Sequence, residues 1–384
     1  MAKHSLLPGI SCLIGSTVFA VVFLRVEAQW AVLALTVAAV AALLVGERLG
    51  FADRVRGSFS SHAHLLGTLA FTSVLIIAAI FYDQSFPLLM LATLLIYLTV
   101  CLGLTVQMGY AGVVNFAGAA FFGVGSYTAA VLTRQTPAVP HLLVILLGGI
   151  LAALIGSLLI LPVLRTRGHY AALVTIAFGI LFRTFLEVND TLGGSQGLKV
   201  RGLKIFGYAF NDSINLPGER EASFYLHYVL FTLLLAAGAF VLVRRLERSW
   251  IGLNLDAVRL DETAAATFGL NVAWWKVVAF TFGNFLAGLA GATYGMMSGF
   301  VAPGNFTFSD SLILVSILIL GGLGNPWGII PAAAIVLLLP EKLQAIQEYR
   351  YLLYAVLVII ILLFRPSGLL PRRSREYFPG WKPG

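Results

Sequence analysis

The chain has 384 residues, of which 59% are apolar and only 11% are charged, and its formal net charge is +8. Soluble domains average about 45–50% apolar and about 25% charged residues, so the composition excludes an ordinary soluble domain and predicts an all-α, polytopic membrane protein. The positive charge does not indicate nucleic-acid binding, because the basic residues lie at the ends of apolar runs, where they orient a chain in the membrane.

Apolar runs predict a transmembrane bundle of about ten to twelve helices, some short or broken, because backbone groups in lipid must bond within their own segment. In chain order the runs cover residues 6–24, 29–45, 63–81, 87–106, 110–132, 141–164, 170–188, 225–243, 277–302, 311–323, 328–339 and 350–364. We expect the first run to be a retained span, since no signal-cleavage pattern follows it.

The basic residues also predict the orientation of the chain. With the N-terminus inside, most of the 25 lysines and arginines fall on inner segments, as the positive-inside rule requires. We therefore expect both termini to be cytoplasmic. This orientation holds for the basic C-terminal tail only if 311–323 and 328–339 are two short helices meeting at "GGLGNPWG". Such interrupted segments either line a transport path or form a plain helical hairpin, and the sequence leaves both open.

Two of the apolar runs contain many glycines and one asparagine each. Asn115 lies in "GYAGVVNFAGAAFFGVG", and Asn284 lies in "FGNFLAGLAGATYG". Glycines allow helix backbones to approach closely. The two runs are therefore compatible with paired halves around a central passage. They are equally compatible with ordinary small-residue packing, in which the asparagines form hydrogen bonds between helices.

Arg183 is the basic residue that lies well inside a long apolar run. An ionisable group at membrane depth is costly and marks a functional position by default. Glu187 lies four residues later, however, and offers a structural i,i+4 ion pair. Both interpretations remain open from the sequence.

The long polar loop at about 189–224 carries charged residues of both signs. It is suited to docking of an extracytoplasmic partner, and it is equally suited to being a solvated, partly disordered connection. The candidate docking residues are Lys199, Arg201, Lys204, Glu219 and Glu221.

The segment "DETAAATFGLNVAWWK" predicts a short helix on the inner face. Asp261 and Glu262 fall in its first turn, where acidic side chains are favourable, and Gly269 can end it in a left-handed cap. The tryptophan pair that follows marks the membrane interface. This helix is suited either to insertion into a cleft of a partner or to simple connection of two spans.

Motifs for nucleotide binding, catalysis and metal binding are absent from the sequence. "GGLGNPWG" lacks the lysine of a P-loop, and no nucleophile elbow or membrane-depth carboxylate pair occurs. The two cysteines, Cys12 and Cys101, lie in apolar runs as expected for free thiols, and the six histidines form no metal-ligand pattern. We therefore expect no bound cofactor, no metal and no catalytic residues. An energy source on another chain is favoured over ion coupling, because the spans offer almost no ion-coupling groups.

Six stretches, taken together and in order, resemble the membrane permeases of branched-chain amino acid ABC importers, of the LivM-like kind. They are "MGYAGVVNFAGAAFFGVGSYTAAVL", "RTRGHYAALVTIAFGILFR", "NDTLGGSQGL", "GLNLDAVRLDETAAATFGLNVAWWKVVAFTFGNFLAGLAGATYG", "ILGGLGNPWG" and "RPSGLL". The resemblance implies an N-terminal extension of about three helices at 1–86, a permease domain at 87–371 and a cytoplasmic basic tail at 372–384.

The resemblance also implies a function and a set of partners. The chain would carry branched-chain or related amino acids from a periplasmic binding protein across the bacterial inner membrane. A second permease subunit and two cytoplasmic ATPases that bind ATP and magnesium would complete the importer. Urea and short-amide permeases share much of the pattern, so these cargoes are alternatives, and an ion-coupled secondary transporter is a more distant one. Gly118 and Ile180 depart from residues that relatives often carry, which leaves the cargo open.

Roles follow for individual residues. The resemblance implies that the segment described above is the ATPase-coupling helix, formed by Asp261, Glu262, Ala264, Ala265, Gly269 and Asn271. The pathway candidates are Tyr110, Asn115, Thr175, Arg183, Asn284 and Tyr294.

Overall fold

The computed structural model describes residues 6–32, 34–36, 38, 46, 50–136, 139–164, 169–205, 207–212, 214–216, 220–342, 349, 352, 356, 359, 363 and 368–372. Most of these residues are helical, and the described part of the chain contains no closed sheet, which confirms the all-α class. Seven helices among the described residues are long and apolar enough to cross a membrane: Leu7–Arg25, Ser85–Tyr110, His141–Leu164, Tyr170–Val188, Tyr225–Arg248, Val272–Ser298 and Pro303–Gly321.

The N-terminal part contains α1 (Leu7–Arg25), α2 (Phe51–Ser61) and α3 (Ala63–Ile80), and α1 packs against both others. A Cβ added to Gly9 of α1 would lie 2.6 Å from Ser58 Oγ and 2.8 Å from a Leu66 methyl, so this contact needs glycine. Residues 29–32 and 34–36 are helical, whereas most of the predicted helix at 29–45 lies outside the described residues.

The next span is broken where the sequence predicts a continuous helix. Helix α4 (Ser85–Leu104) continues into a π-helical turn at Thr105–Tyr110, and α5 begins only at Gly118 and ends at Gln135. The prediction of a helix from residue 110 is therefore wrong for 111–117. Gly112 has φ +69°, which is not helical. The Asn115 side chain accepts from the Ala117 amide at 2.8 Å, in place of a helical backbone bond.

Helices α6 (His141–Leu164), α7 (His169–Val188) and α11 (Val272–Ser298) agree with the predicted runs to within a few residues. Between α7 and α11 the chain is more helical than predicted. Helix α8 (Tyr225–Arg248) continues five residues beyond the predicted end at 243, and α9 (Trp250–Leu260) was not predicted. The extra turn of α8 is charged, and Arg244 pairs with Glu247 at 2.7 Å. The predicted short helix is α10 (Glu262–Thr267).

The described part of the outer loop contains hydrogen-bonded local structure. Two 3₁₀ turns (Asp190–Leu192 and Gly194–Gln196) precede short antiparallel strand pairs. The pairs are β1 (Leu198–Lys199) with β6 (Phe300–Val301), β2 (Lys204–Ile205) with β3 (Tyr208–Ala209), and β4 (Ile214–Leu216) with β5 (Arg220–Ala222).

The predicted break between two helical segments at "GGLGNPWG" is confirmed, but both segments are longer than predicted, since Pro303–Gly321 is long enough to cross a membrane and the second segment runs from Pro326 to Lys342. Helix α12 (Phe308–Gly321) begins with a Thr307–Asp310 capping box, and α13 (Pro326–Ala333) begins with the Asn325 side chain accepting from the Trp327 amide. A π-helical turn (Ala334–Leu338) and α14 (Leu339–Lys342) follow. Of the predicted run at 350–364, only residues 352, 356, 359 and 363 are described, and they are helical.

Helix α11 lies at the centre of the molecule and packs against α4, α5 and α6. Its glycines permit this contact. A Cβ added to Gly291 would lie 1.8 Å from the Phe122 carbonyl oxygen in α5, and one added to Gly288 would lie 2.5 Å from the Gly148 carbonyl oxygen in α6. The two glycine-rich runs thus pack directly against each other.

Loops that the charge distribution predicts on the same side of the membrane contact each other in the structure. At one end, Ser85 hydrogen-bonds to Ser223, the Lys204 amide donates to His141, and Lys342 donates to the Val26 carbonyl. At the other end, Arg372 contacts Asp256. These are called the outer and inner ends below. Which end faces the cytoplasm stays a prediction.

Candidate functional site

Three buried carboxamides meet at the broken span. Gln107 Nε2 donates to Asn284 Oδ1 at 2.9 Å and to the Phe280 carbonyl at 2.9 Å. Asn115 Nδ2 donates to Gln107 Oε1 at 2.7 Å and to Asn284 Oδ1 at 3.3 Å. We call Gln107, Asn115 and Asn284 the amide cluster, and each is at most 1% exposed. The structure thus brings together the two predicted asparagines as hydrogen-bonding groups between segments, shielded from solvent.

Gln107 was missed by the sequence analysis. It lies just beyond an apolar run, and its only sequence signal is a polar amide among apolar neighbours. Glycines make room for it, since a Cβ added to Gly283 would lie 2.4 Å from Gln107 Nε2. The amide cluster therefore joins the π-helical turn, segment 111–117 and α11. No local sequence pattern predicts that these three side chains meet.

Helix α7 covers the non-helical segment 111–117. Thr175 Oγ1 accepts from the Phe116 amide at 3.1 Å and donates to the Ala172 carbonyl at 2.8 Å. Nearby, the rings of Phe121 and Phe178 stack at 5.2 Å between centroids. Irregular backbone inside an apolar bundle requires such partners, because lipid supplies none.

Arg183 and Glu187 form the predicted i,i+4 pair on α7, with Nε 2.8 Å from Oε1. Both side chains are more than one-third exposed, so the pair contributes little stability. An open groove of about 540 Å³ lies next to the outer end of α7. It has an apolar wall and a polar end, formed by Leu181, Thr184, Phe185, Val188, Asn189, Asp190 and Thr191.

The other pathway candidates lie apart from this group. Tyr294 on α11 packs its ring 5.2 Å from that of Phe122, whereas Tyr110 is buried at the inner end with Arg372 above its ring. Of the six pathway candidates, only Asn115, Asn284 and Thr175 therefore lie together. The others lie on the outer half of α7 (Arg183), at the α5–α11 contact (Tyr294) and at the inner end (Tyr110).

Helix α10 has the predicted caps with one change of position. Asp261 is the N-cap and not a first-turn residue, and its carboxylate accepts from the amides of Thr263 and Ala264 at 2.8 and 3.0 Å. Gly269 ends the helix with φ +82°, and the Leu270 amide donates to the Ala265 carbonyl. Both ends of this six-residue helix are therefore closed by its own sequence.

The exposed face of α10 differs from the face that the sequence suggested. Ala265 is 4% exposed and packs inward, whereas Phe268, which the sequence analysis missed, is 87% exposed. Glu262 is paired with Lys276 at 2.6 Å. Asn271 serves as the N-cap of α11 and accepts from the Trp274 amide at 3.1 Å. The dominant exposed apolar group beside this helix is thus the ring of its C-cap residue, Phe268.

The candidate docking residues that are described lie at the outer end. Lys199, Arg201, Lys204 and Glu221 are exposed there, and Glu219 lies outside the described residues. Within the described part of the chain, no three histidine, cysteine or acidic side chains are grouped as metal ligands.

Comparison with known proteins identifies the family. The family model described as "Branched-chain amino acid transport system / permease component" matches residues 86–362. This chain belongs to that family. As a member of the permease family with seven candidate spans in its described residues, it is a multi-pass membrane protein. The family match begins beside the predicted domain start at 87, but the division into extension, permease domain and tail stays a prediction.

Individual relatives of this family member are permeases of two kinds. The "high-affinity branched-chain amino acid transport system permease protein LivM" of Salmonella typhimurium and that of Escherichia coli are each 33% identical over 264 residues, which is 65% of this chain. The aligned part spans 62% of those relatives' own length. The corresponding LivH protein of Escherichia coli is 25% identical over 56% of this chain and 68% of its own. No solved structure matches significantly.

Proposed function

We propose that this chain is the membrane-spanning permease subunit of an ATP-binding-cassette importer for branched-chain or related amino acids. The family match and the 33% identity to LivM proteins support this function. We expect the protein to lie in the bacterial inner membrane with both termini in the cytoplasm. We expect no catalytic activity of its own, with ATP and magnesium held by two partner ATPases.

The observation that carries the proposal is α10, a capped helix at the inner end with an exposed aromatic ring. Its Phe268 is 87% exposed, and it is followed within a few residues by α11, the central helix of the bundle. Since the sequence has no P-loop, we expect the energy for transport to enter from another chain. A short rigid helix attached to the central span is suited to receive it.

The two remaining partners are inferred from the outer loop and from the relatives of this chain. The charged outer loop is suited to a periplasmic binding protein, with Lys199, Arg201, Lys204 and Glu221 as docking residues. A second permease subunit is expected because the relatives are of the LivM and LivH kinds. We expect the passage to open beside α7, α11 and segment 111–117.

Replacing Gly269 by valine tests this function in the importer purified with its ATPase and reconstituted in vesicles. A β-branched residue at φ +82° is strained and disturbs the cap of α10. Amino acid uptake per ATP hydrolysed should fall roughly tenfold or more, within the usual range of allosteric coupling. Gly299→Val is the matched control, because Gly299 has φ +71°, equally open surroundings and a place at the outer end.

Two further outcomes separate this function from its alternatives. Full ATP-driven uptake by the Gly269→Val importer contradicts coupling through α10. Uptake that survives ATP depletion in the presence of an ion gradient contradicts an ATP-driven importer altogether. Competition of leucine uptake by urea or acetamide distinguishes the amide cargoes from amino acids.

A further inference from the structure

A buried ion cluster lies at the inner end. The Arg372 guanidinium makes two hydrogen bonds to the Asp256 carboxylate, at 2.5 and 2.9 Å, and its Nε lies 3.5 Å from Glu247 Oε1. These three side chains are about one-tenth exposed. The guanidinium also lies 4.5 Å from the centre of the Tyr110 ring. We call Arg372, Asp256, Glu247 and Tyr110 the arginine cluster.

The position of Arg372 is fixed by the backbone before it. The Leu369 amide donates to the Leu320 carbonyl at 2.7 Å, and the Leu370 amide donates to the Gly321 carbonyl at 3.2 Å. Asn325 Nδ2 donates to the Leu370 carbonyl at 2.9 Å. Segment 368–372 is therefore attached to the turn between α12 and α13, and the arginine side chain extends from that turn towards α8 and α9.

The charge of Arg372 is permanent. Burial by itself lowers the pKa of Arg372, but the hydrogen bonds to Asp256 and the nearby acidic charges raise it, and the pKa ends above its ordinary value. Arg372 therefore stays ionised at every physiological pH. A planar guanidinium that makes two hydrogen bonds to a carboxylate fixes the orientation of the carboxylate as well as its distance.

The arginine cluster lies between α10 and the broken span. Asp256 belongs to α9, whose last residue, Leu260, precedes the N-cap of α10. Tyr110 ends the π-helical turn and leads into segment 111–117. A Cβ added to Gly112 would lie 3.1 Å from Arg259 Cγ in α9, so the two elements are also in direct contact. A displacement of α9 must therefore move Tyr110, separate Arg372 from the Tyr110 ring or break the Arg372–Asp256 pair.

We propose that Arg372 is a positioning residue that transmits movement of the α9–α10 unit to Tyr110 and to segment 111–117, and thereby couples ATPase closure to the opening of the passage. This inference rests on the proposed function and adds the route by which its coupling helix acts. The two arrangements that it requires differ in the placement of α9 relative to the π-helical turn.

Replacing Arg372 by glutamine tests the route in the reconstituted importer. ATP hydrolysis should stay within about twofold of the wild type while uptake per ATP falls roughly tenfold. Binding of the ATPase should be unchanged, because the surface of α10 is not altered. Tyr110→Leu should lower uptake per ATP in the same way. Adding it to Arg372→Gln should cause little further loss, because both act in one chain of contacts.

A purely structural role gives a different result. It lowers the melting temperature and the yield of the importer but leaves uptake per ATP unchanged, and that outcome overturns the inference. Lys342→Gln is the control for a partly buried cation that joins distant segments, because Lys342 donates to the carbonyls of Leu24 and Val26 at the outer end. Its uptake per ATP should match the wild type.

The variants also separate this inference from the proposed function. Uncoupling by Gly269→Val together with normal coupling in Arg372→Gln rejects the arginine route and leaves the importer function standing. Failure of the wild-type importer to use ATP rejects the function itself. If the importer with Arg372→Gln does not assemble, Arg372→Lys tests the arginine route instead. Lysine keeps the charge but cannot make the two parallel hydrogen bonds to Asp256. Wild-type uptake per ATP in Arg372→Lys then overturns the inference.

Discussion

At the scale of single residues, the amide cluster shows how polar groups persist inside an apolar bundle. Each of its carboxamides is bonded to another, and the Asn115 side chain in addition accepts from the Ala117 amide. Asn284 Nδ2 has no hydrogen-bond partner, but the bonds that the other amide atoms make favour one arrangement, because each would be costly to lose inside the bundle. The cluster therefore holds the broken span against α11 in the state described.

Replacing Gln107 by leucine should destabilise the protein. The change removes the hydrogen bonds of Gln107 to Asn115 and Asn284 and leaves within the cluster only the 3.3 Å bond between these two buried side chains, which costs about 1–3 kcal/mol. The melting temperature of the detergent-solubilised protein measures the effect. Gln84→Leu is the matched control, since Gln84 is exposed and its side chain makes no cap bond to α4. Equal melting temperatures of the two variants contradict a stabilising amide cluster.

Phe268 is the residue on α10 that we expect to anchor the ATPase. Exposed aromatic rings that become buried in a pocket account for much of the affinity at interfaces, and their truncation to alanine commonly costs about 2 kcal/mol or more. Phe268→Ala should therefore weaken binding of the purified ATPase roughly thirtyfold. Phe300→Ala at the outer end, where the ring is 43% exposed, should leave the affinity unchanged. Equal affinities for both variants exclude the ring as an anchor.

At the scale of secondary-structure elements, close packing of α11 against α5 depends on glycine. Gly291→Ala should destabilise the protein by about 1–3 kcal/mol, because the added methyl group overlaps the Phe122 carbonyl oxygen and the helices must separate. Gly238→Ala in α8 is the control, since no atom lies within 4 Å of its Cβ position and alanine favours the helix. Thermal unfolding compares the two, and a Gly291→Ala variant as stable as Gly238→Ala refutes the packing argument.

Element boundaries followed from local chemistry where caps define them. The end of α10 at Gly269 was predicted from neighbouring residues. The N-cap role of Asp261 and the capping box of α12 also involve neighbouring residues, but Asp261 was placed in the first turn and α12 begins three residues before its predicted start. The start of α5 was predicted wrongly, because glycine and asparagine within an apolar run are compatible with both a helix and an extended segment. Contacts with Thr175 and Asn284, which are distant in sequence, decide between them.

At the scale of the whole molecule, the sidedness of the chain is open to direct measurement. In a Cys12→Ser background, Lys199→Cys should react with a membrane-impermeant maleimide in intact cells, whereas Thr267→Cys should react only after the membrane is opened. Both positions are exposed, and the remaining cysteine, Cys101, is buried. The reverse labelling pattern contradicts cytoplasmic termini and places α10 on the outer face.

The sequence by itself determined the all-α membrane class, most of the spans and the short capped helix α10. These depend on local properties, since a helix in lipid must satisfy its own backbone and caps involve adjacent residues. Only the tertiary structure decided the break at 111–117, the meeting of Gln107 with Asn284, the inward position of Ala265 and the pairing of Arg372 with Asp256, 116 residues apart. Each of these depends on which distant segments pack together, and hydrophobic patterning does not specify that choice.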